Sequence, residues 1–139
     1  MINGAVTHPE ILKALAGIGH GSQIVIADGH FPFATATRPD VPRVYLNFAP
    51  GMINVPDILR QMVQMIDIEA ATAPGPDDGA EPPIFAEYRE ILPQDLELKK
   101  VGRFDFYDLV NSPNTGLIIA SGEQRTYACI VLTVGIRKF

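Results

Sequence analysis

Gln23-Ile24-Val25-Ile26-Ala27-Asp28 is a short, unbroken apolar run closed by an acid, and Gly29-His30-Phe31-Pro32 follows at once. Consecutive β-branched residues without polar alternation suit a strand covered on both faces, as at the centre of a sheet between helical layers. In an open α/β sheet, ligands bind beyond the carboxyl ends of the strands. Asp28 and His30 fall at such an end and are therefore candidate site residues. Gly29 between them reads as a sharp turn. A plainer role for Asp28, capping the turn that follows, fits the same residues.

The flanking segments extend this pattern. Upstream, Thr7 and Glu10 have capping-box spacing, and Ile11, Leu12, Leu15 and Ile18 form one face of a helix closed by Gly17, Gly19 and Gly21. Downstream, residues 43–48 alternate, with Val44, Leu46 and Phe48 on one side of a half-buried strand. Asn54 can cap a second helix with Pro56 in its first turn and Ile58, Leu59, Met62, Val63 and Met65 on its core face. The methionines there read as packing. Residues 72–83, TAPGPDDGAEPP, read as a loop. A helix at 84–92, a strand at 95–101, a short helix at 104–110 and strands at 116–121 and 129–134 account for the rest of the chain. Alternating strands and helices predict an α/β sandwich.

Length and composition bound the function. A chain of 139 residues suits one domain, residues 1–139, and 47% apolar with 19% charged residues is a globular balance. A net charge of −5 without a Lys/Arg cluster gives no pull towards nucleic acid. One cysteine, Cys129, permits no disulfide within the chain. With no basic, apolar leader at the N-terminus, this reads as a cytoplasmic protein. The longest strongly apolar stretch, residues 128–136, is too short to span a bilayer. Gly-x-Ser-x-Gly, a phosphate-cradling loop and a dinucleotide glycine pattern are all absent, so phosphoryl and hydride transfer lose their usual support.

Three polar groups remain. His20 lies between Gly19 and Gly21, and an imidazole can give or take a proton near neutrality. A solvated loop histidine is the plain alternative. Asp28-Gly29-His30 is the second group. A metal held by His20, Asp28 and His30 has no ligand spacing to support it. The third is Arg103-Phe104-Asp105-Phe106-Tyr107 together with residues 121–129, SGEQRTYAC. The Arg103 guanidinium could bind several oxygens of one ligand. Phe104 and Phe106 read as packing. Glu123 and Tyr127 fall between two apolar strands, where either a polar pocket or an ordinary hairpin-like connection could form.

In this order and spacing, Gly19-His20-Gly21, Asp28 with His30-Phe31-Pro32, Arg103-Phe104-x-Phe106-Tyr107, and Gly122-Glu123 with Tyr127 resemble the ribose pyranase and fucose mutarotase family over nearly the whole chain. His30-Phe31-Pro32 and the aromatic segment look closer to its fucose branch. The resemblance implies a single-domain three-layer α/β sandwich with a mostly parallel or mixed central sheet. It implies a cofactor-independent, metal-free isomerase that interconverts the α and β anomers of a free monosaccharide, L-fucose on this reading. His20 would be the catalytic acid/base. Asp28, His30, Arg103, Tyr107, Glu123, Tyr127, Ala128 and Cys129 would bind the sugar. A homo-oligomeric ring, often decameric, with sites near subunit contacts is also implied. Cys129 stands where the family usually has Asn, and a thiol is a weak donor and acceptor. The other readings are a D-ribose pyranase, a non-catalytic sugar-binding accessory protein and, more distantly, a metal-dependent hydrolase.

Overall fold

The run at residues 23–28 does lie at the centre of a sheet. In the computed structural model, which describes residues 1–139, β1 (Gln23–Ala27) is buried at every position. Around it are α1 (Pro9–Gly17), β2 (Arg43–Tyr45), α2 (Val55–Met62), β3 (Ile68–Pro74), α3 (Ile84–Ile91), β4 (Leu98–Val101), α4 (Arg103–Val110), β5 (Thr115–Ala120) and β6 (Ile130–Val134). The six strands form one sheet in the order β2-β5-β1-β6-β3-β4. β6 runs antiparallel to both its neighbours, and every other pairing is parallel.

Side-chain alternation divides the apolar residues between two cores. Ile24 and Ile26 of β1, Leu117 and Ile119 of β5, and Ile130 and Leu132 of β6 pack with buried residues of α1, α2 and α3. Val25, Ala27, Ile118 and Val131 face the other way, against Phe31, Val41, and Phe106 and Val110 of α4. The result is the expected three-layer sandwich with a mixed sheet. No helix is long and apolar enough to cross a membrane.

Several local expectations need correction. The first helix starts at Pro9 with His8 at its cap and no side-chain cap bond, so Thr7 and Glu10 form no capping box. Pro9, pre-set in φ and lacking an amide hydrogen, fixes the start instead. β2 is only three residues long, and Phe48 beyond it is exposed. The loop expected from residue 72 begins after Pro74, because Ile68–Pro74 is a strand between β6 and β4. Its three alanines are poor strand formers by propensity, and packing of Ala71 and Ala73 in the larger core overrides that. Residues 121–129 are no hairpin: β1 lies between β5 and β6, so the segment crosses over the carboxyl end of β1.

Two arrangements hold that end of the sheet. Arg43 at the start of β2 donates to the carbonyls of Phe33 (2.8 Å), Val41 (2.9 Å) and Thr37 (3.1 Å) and to the Thr37 hydroxyl (2.6 Å). This gathers the loop after Phe31 without a carboxylate partner. Gly29 is required for a reason other than a sharp turn. Its amide donates to the Glu123 carbonyl at 2.7 Å, and a Cβ at this position would lie 2.8 Å from the same oxygen.

Candidate active site

A cavity of about 380 Å³ opens beyond the carboxyl ends of β1, β3 and β4, where an α/β sheet places its ligands. Asp28, His30 and Phe31 come from the end of β1, Pro74 from β3, Arg103, Phe106 and Tyr107 from α4, and Thr126, Tyr127 and Cys129 from the crossover before β6. Six of the nine residues singled out from the sequence therefore meet here: Asp28, His30, Arg103, Tyr107, Tyr127 and Cys129.

Asp28 is the keystone. Its buried carboxylate accepts the His30 amide on one oxygen (3.0 Å) and the Ala128 amide on the other (3.1 Å). Its own amide donates to the Cys129 sulfur at 3.3 Å. One acid thus ties the end of β1 to the start of β6, and the remaining lone pairs of its oxygens can still accept from a ligand. Asp28 thus both caps its turn and lines the cavity. His30 accordingly stands in a fixed turn, with Nε2 donating to the Gln124 carbonyl at 2.9 Å.

Residues 127–129 alternate about this contact. Tyr127 has φ of 56°, a left-handed conformation uncommon outside glycine, and its half-exposed side chain lines the cavity. Ala128 is buried and does not line the cavity. Its amide serves Asp28, and its carbonyl accepts the hydroxyl of the fully buried Tyr88. Burial is the main cause that pushes the Tyr88 phenol far above its ordinary value, so it remains a donor. Tyr88→Phe would leave that carbonyl without its partner, and a stability loss of about 1–3 kcal/mol is expected by urea denaturation. An unchanged midpoint would show that the bond contributes nothing.

Arg103 opens α4 and is exposed. Its guanidinium carbon lies 5.5 Å from the centre of the Tyr107 ring and 5.9 Å from that of Phe104, and it makes no ion pair within the chain. The charge is held by ring faces and its N–H groups are left for a ligand. Phe106 packs as expected. Phe104 does not: at 77% exposed it stands on the solvent side of the first turn of α4.

Glu123 is also outside the cavity lining. Its buried carboxylate is held by Arg125, with Nε donating to one oxygen and the second guanidinium arm to the other, both at 2.9 Å. Burial pushes the Glu123 carboxyl up, but the hydrogen bonds from Arg125 outweigh that and hold it below the usual carboxylate range. Because the folded value is depressed, this pair stabilises fully above the unfolded carboxyl value, about 4.3, and the contribution is lost as pH falls through the lower folded value. Melting curves below pH 4.3 should therefore fall less steeply for Glu123→Gln than for the parent. Parallel curves would contradict the assignment.

His20 is elsewhere. It precedes β1, and the five residues of β1 alone separate the two ends of that strand by roughly 13 Å. There its Nε2 lies 2.8 Å from Oε2 of Glu69, near the start of β3. A carboxylate oxygen can accept from Nε2, and in a neutral imidazole so bonded Nδ1 would keep a lone pair. Glu69 carries no signal of its own in the sequence, because it falls between the helix face that ends at Met65 and the loop composition that begins at Thr72. Pro74, Phe31 and Thr126 are further cavity residues that carried no separate signal. No group of three His, Cys, Asp or Glu side chains is placed to hold a metal.

Residues 1–137 match the RbsD / FucU transport protein family. The fucose mutarotase of Danio rerio is 27% identical over 144 residues, covering 95% of this chain and 90% of that protein. The crystal structure of the fucose mutarotase from Streptococcus pneumoniae in complex with L-fucose superposes with a TM-score of 0.79, at 25% identity over 94% of each chain. Bacillus subtilis RbsD, solved in complex with D-ribose, shares the fold with a TM-score of 0.85 at 21% identity, covering 99% of this chain and all of the other.

Proposed function

The chain belongs to the RbsD / FucU transport protein family, and from that premise we propose that it is a monosaccharide mutarotase acting on L-fucose or a closely similar sugar. One observation carries the reading: a sugar-sized cavity with a fixed carboxylate, an unpaired guanidinium and aromatic walls, at the strand ends where such a sheet binds ligands.

Mutarotation needs two proton movements and one bond exchange. The anomeric hydroxyl loses its proton, the bond from the anomeric carbon to the ring oxygen breaks, and the ring oxygen gains a proton. The open aldehyde turns its face, and the reverse steps close the other anomer. Atoms and charge balance without an oxidant, nucleotide or covalent intermediate. Asp28, Arg103 and Tyr127 hold hydroxyl groups of the sugar. His20 is the acid/base, positioned by Glu69 with Nδ1 free to exchange a proton.

His20 and the cavity lie at opposite ends of β1, so the site is completed between two copies of the chain. His20 of one copy faces the cavity of the next. Head-to-tail contact of this kind forms a ring when the rotation between copies closes. Exposed apolar side chains near the cavity end, Phe48, Met52 and Phe104, are available to such an interface. The expected setting is cytoplasmic.

Magnetisation-exchange NMR on anomeric protons tests the activity. Faster α/β exchange of L-fucose with protein than without is expected, with D-ribose run beside it. Acceleration of D-ribose alone would move the chain to pyranase activity. Binding of sugar without exchange would make it an accessory binding protein.

A further inference from the structure

The cavity is polar at its rim and mostly apolar at its floor. Arg103, Thr126, Tyr127 and His30, all exposed, ring the mouth, while Phe31, Phe106 and Cys129 are 7%, 3% and 4% exposed. Asp28 is the one strong hydrogen-bonding side chain at that depth. Cys129 belongs to the apolar cluster of Val25, Ala27, Phe31 and Phe106, yet it also lines the cavity. Its sulfur is already engaged by the Asp28 amide. Burial, and then the neighbouring Asp28 charge, push the thiol well above its ordinary value, so it presents a neutral S–H. A thiol is a poor donor and a poor acceptor. A sugar hydroxyl brought against it would lose water and gain little in return.

We propose that Cys129 is a specificity-determining residue, selecting a deoxy sugar whose CH₂ or CH₃ carbon rests against the floor formed by Cys129, Phe31 and Phe106. This rests on the mutarotase reading and names the class of sugar that the same cavity prefers. The added hydroxyl of the competing sugar is disfavoured by about 10–100-fold, the range an apolar pocket achieves against one extra hydroxyl.

The test compares sugars that differ by one hydroxyl: L-fucose with L-galactose, and 2-deoxy-D-ribose with D-ribose. Anomeric exchange rates are measured for the parent chain, Cys129→Ser and Cys129→Ala. Serine keeps an acceptor for the Asp28 amide and adds a strong hydroxyl to the floor. Alanine keeps the floor apolar. The parent is expected to favour the deoxy partner by at least about tenfold in one pair. Cys129→Ser should narrow that ratio by about tenfold, and Cys129→Ala should retain it. Equal rates on both members of each pair, or a ratio unchanged by serine, would overturn the role of Cys129 while leaving mutarotation in place. No acceleration of any of the four sugars by the parent would overturn the mutarotase reading and this inference with it.

Discussion

Replacing His20 with alanine is expected to slow enzymatic anomer exchange by about 10²–10⁴-fold, the contribution of one positioned acid/base group. Stability should hardly change. His20 is exposed, its side chain buries little, and the bond to Glu69 is a half-exposed surface pair worth little to the fold. Loss of rate with an unchanged melting temperature is therefore the signature of chemistry rather than packing. Glu69→Gln offers a finer reading. Its amide can still accept from Nε2 but no longer stabilises the imidazolium that forms as Nδ1 takes a proton. A smaller loss than that of His20→Ala, with an altered pH profile of the rate, is expected. A His20→Ala chain that retains full rate would remove His20 from the mechanism. Loss in His30→Ala instead would put proton transfer on the cavity's own imidazole.

Asp28→Ala should damage both fold and function. Two amides, those of His30 and Ala128, lose their acceptor in a buried place. At about 1–3 kcal/mol for each unsatisfied group, the loss approaches 2–6 kcal/mol. That is a large part of the stability of a domain this size. Exchange should fall further than instability alone accounts for, because residues 127–129 lose the contact that sets Tyr127 and Cys129 at the cavity. Thermal denaturation and exchange NMR on the same sample separate the two effects. A variant that melts with the parent would show that Asp28 does not tie β1 to β6.

Most of this architecture was legible in residues 23–28. A continuous apolar run ending in a single acid predicts a central strand with two covered faces, and both hold; the cavity opens at the end where the run stops. Strands β5 and β6 and helices α2, α3 and α4 were legible for the same reason: apolar periodicity and flanking breakers agreed. β3 was not. Ile68–Pro74 has one Ile and three Ala, so its strand character comes from neighbours that cover it, which no local pattern reports. Glu69 was lost with it. The role of Gly29 was hidden for a related reason, since the atom it must approach, the Glu123 carbonyl, is distant in sequence. Glu123 illustrates the opposite error. Its place in the chain suggested a pocket, but Arg125 two residues on takes both carboxylate oxygens. The resemblance grouped His20 and Asp28 in one site, whereas an extended strand between them sets them at opposite ends of the sheet.

Complementation shows whether His20 of one copy serves the cavity of the next. His20→Ala chains and chains carrying Arg103→Ala with Tyr127→Ala are co-expressed, purified together and assayed by anomeric exchange NMR on L-fucose. Each variant alone is expected to be nearly inactive. Random assembly from equal amounts places an intact His20 against an intact cavity at about one head-to-tail interface in four, so recovery of about a quarter of the parent rate is expected. A mixture no more active than its parts, beside an active parent, would contradict the account and place both ends of the site within a single chain.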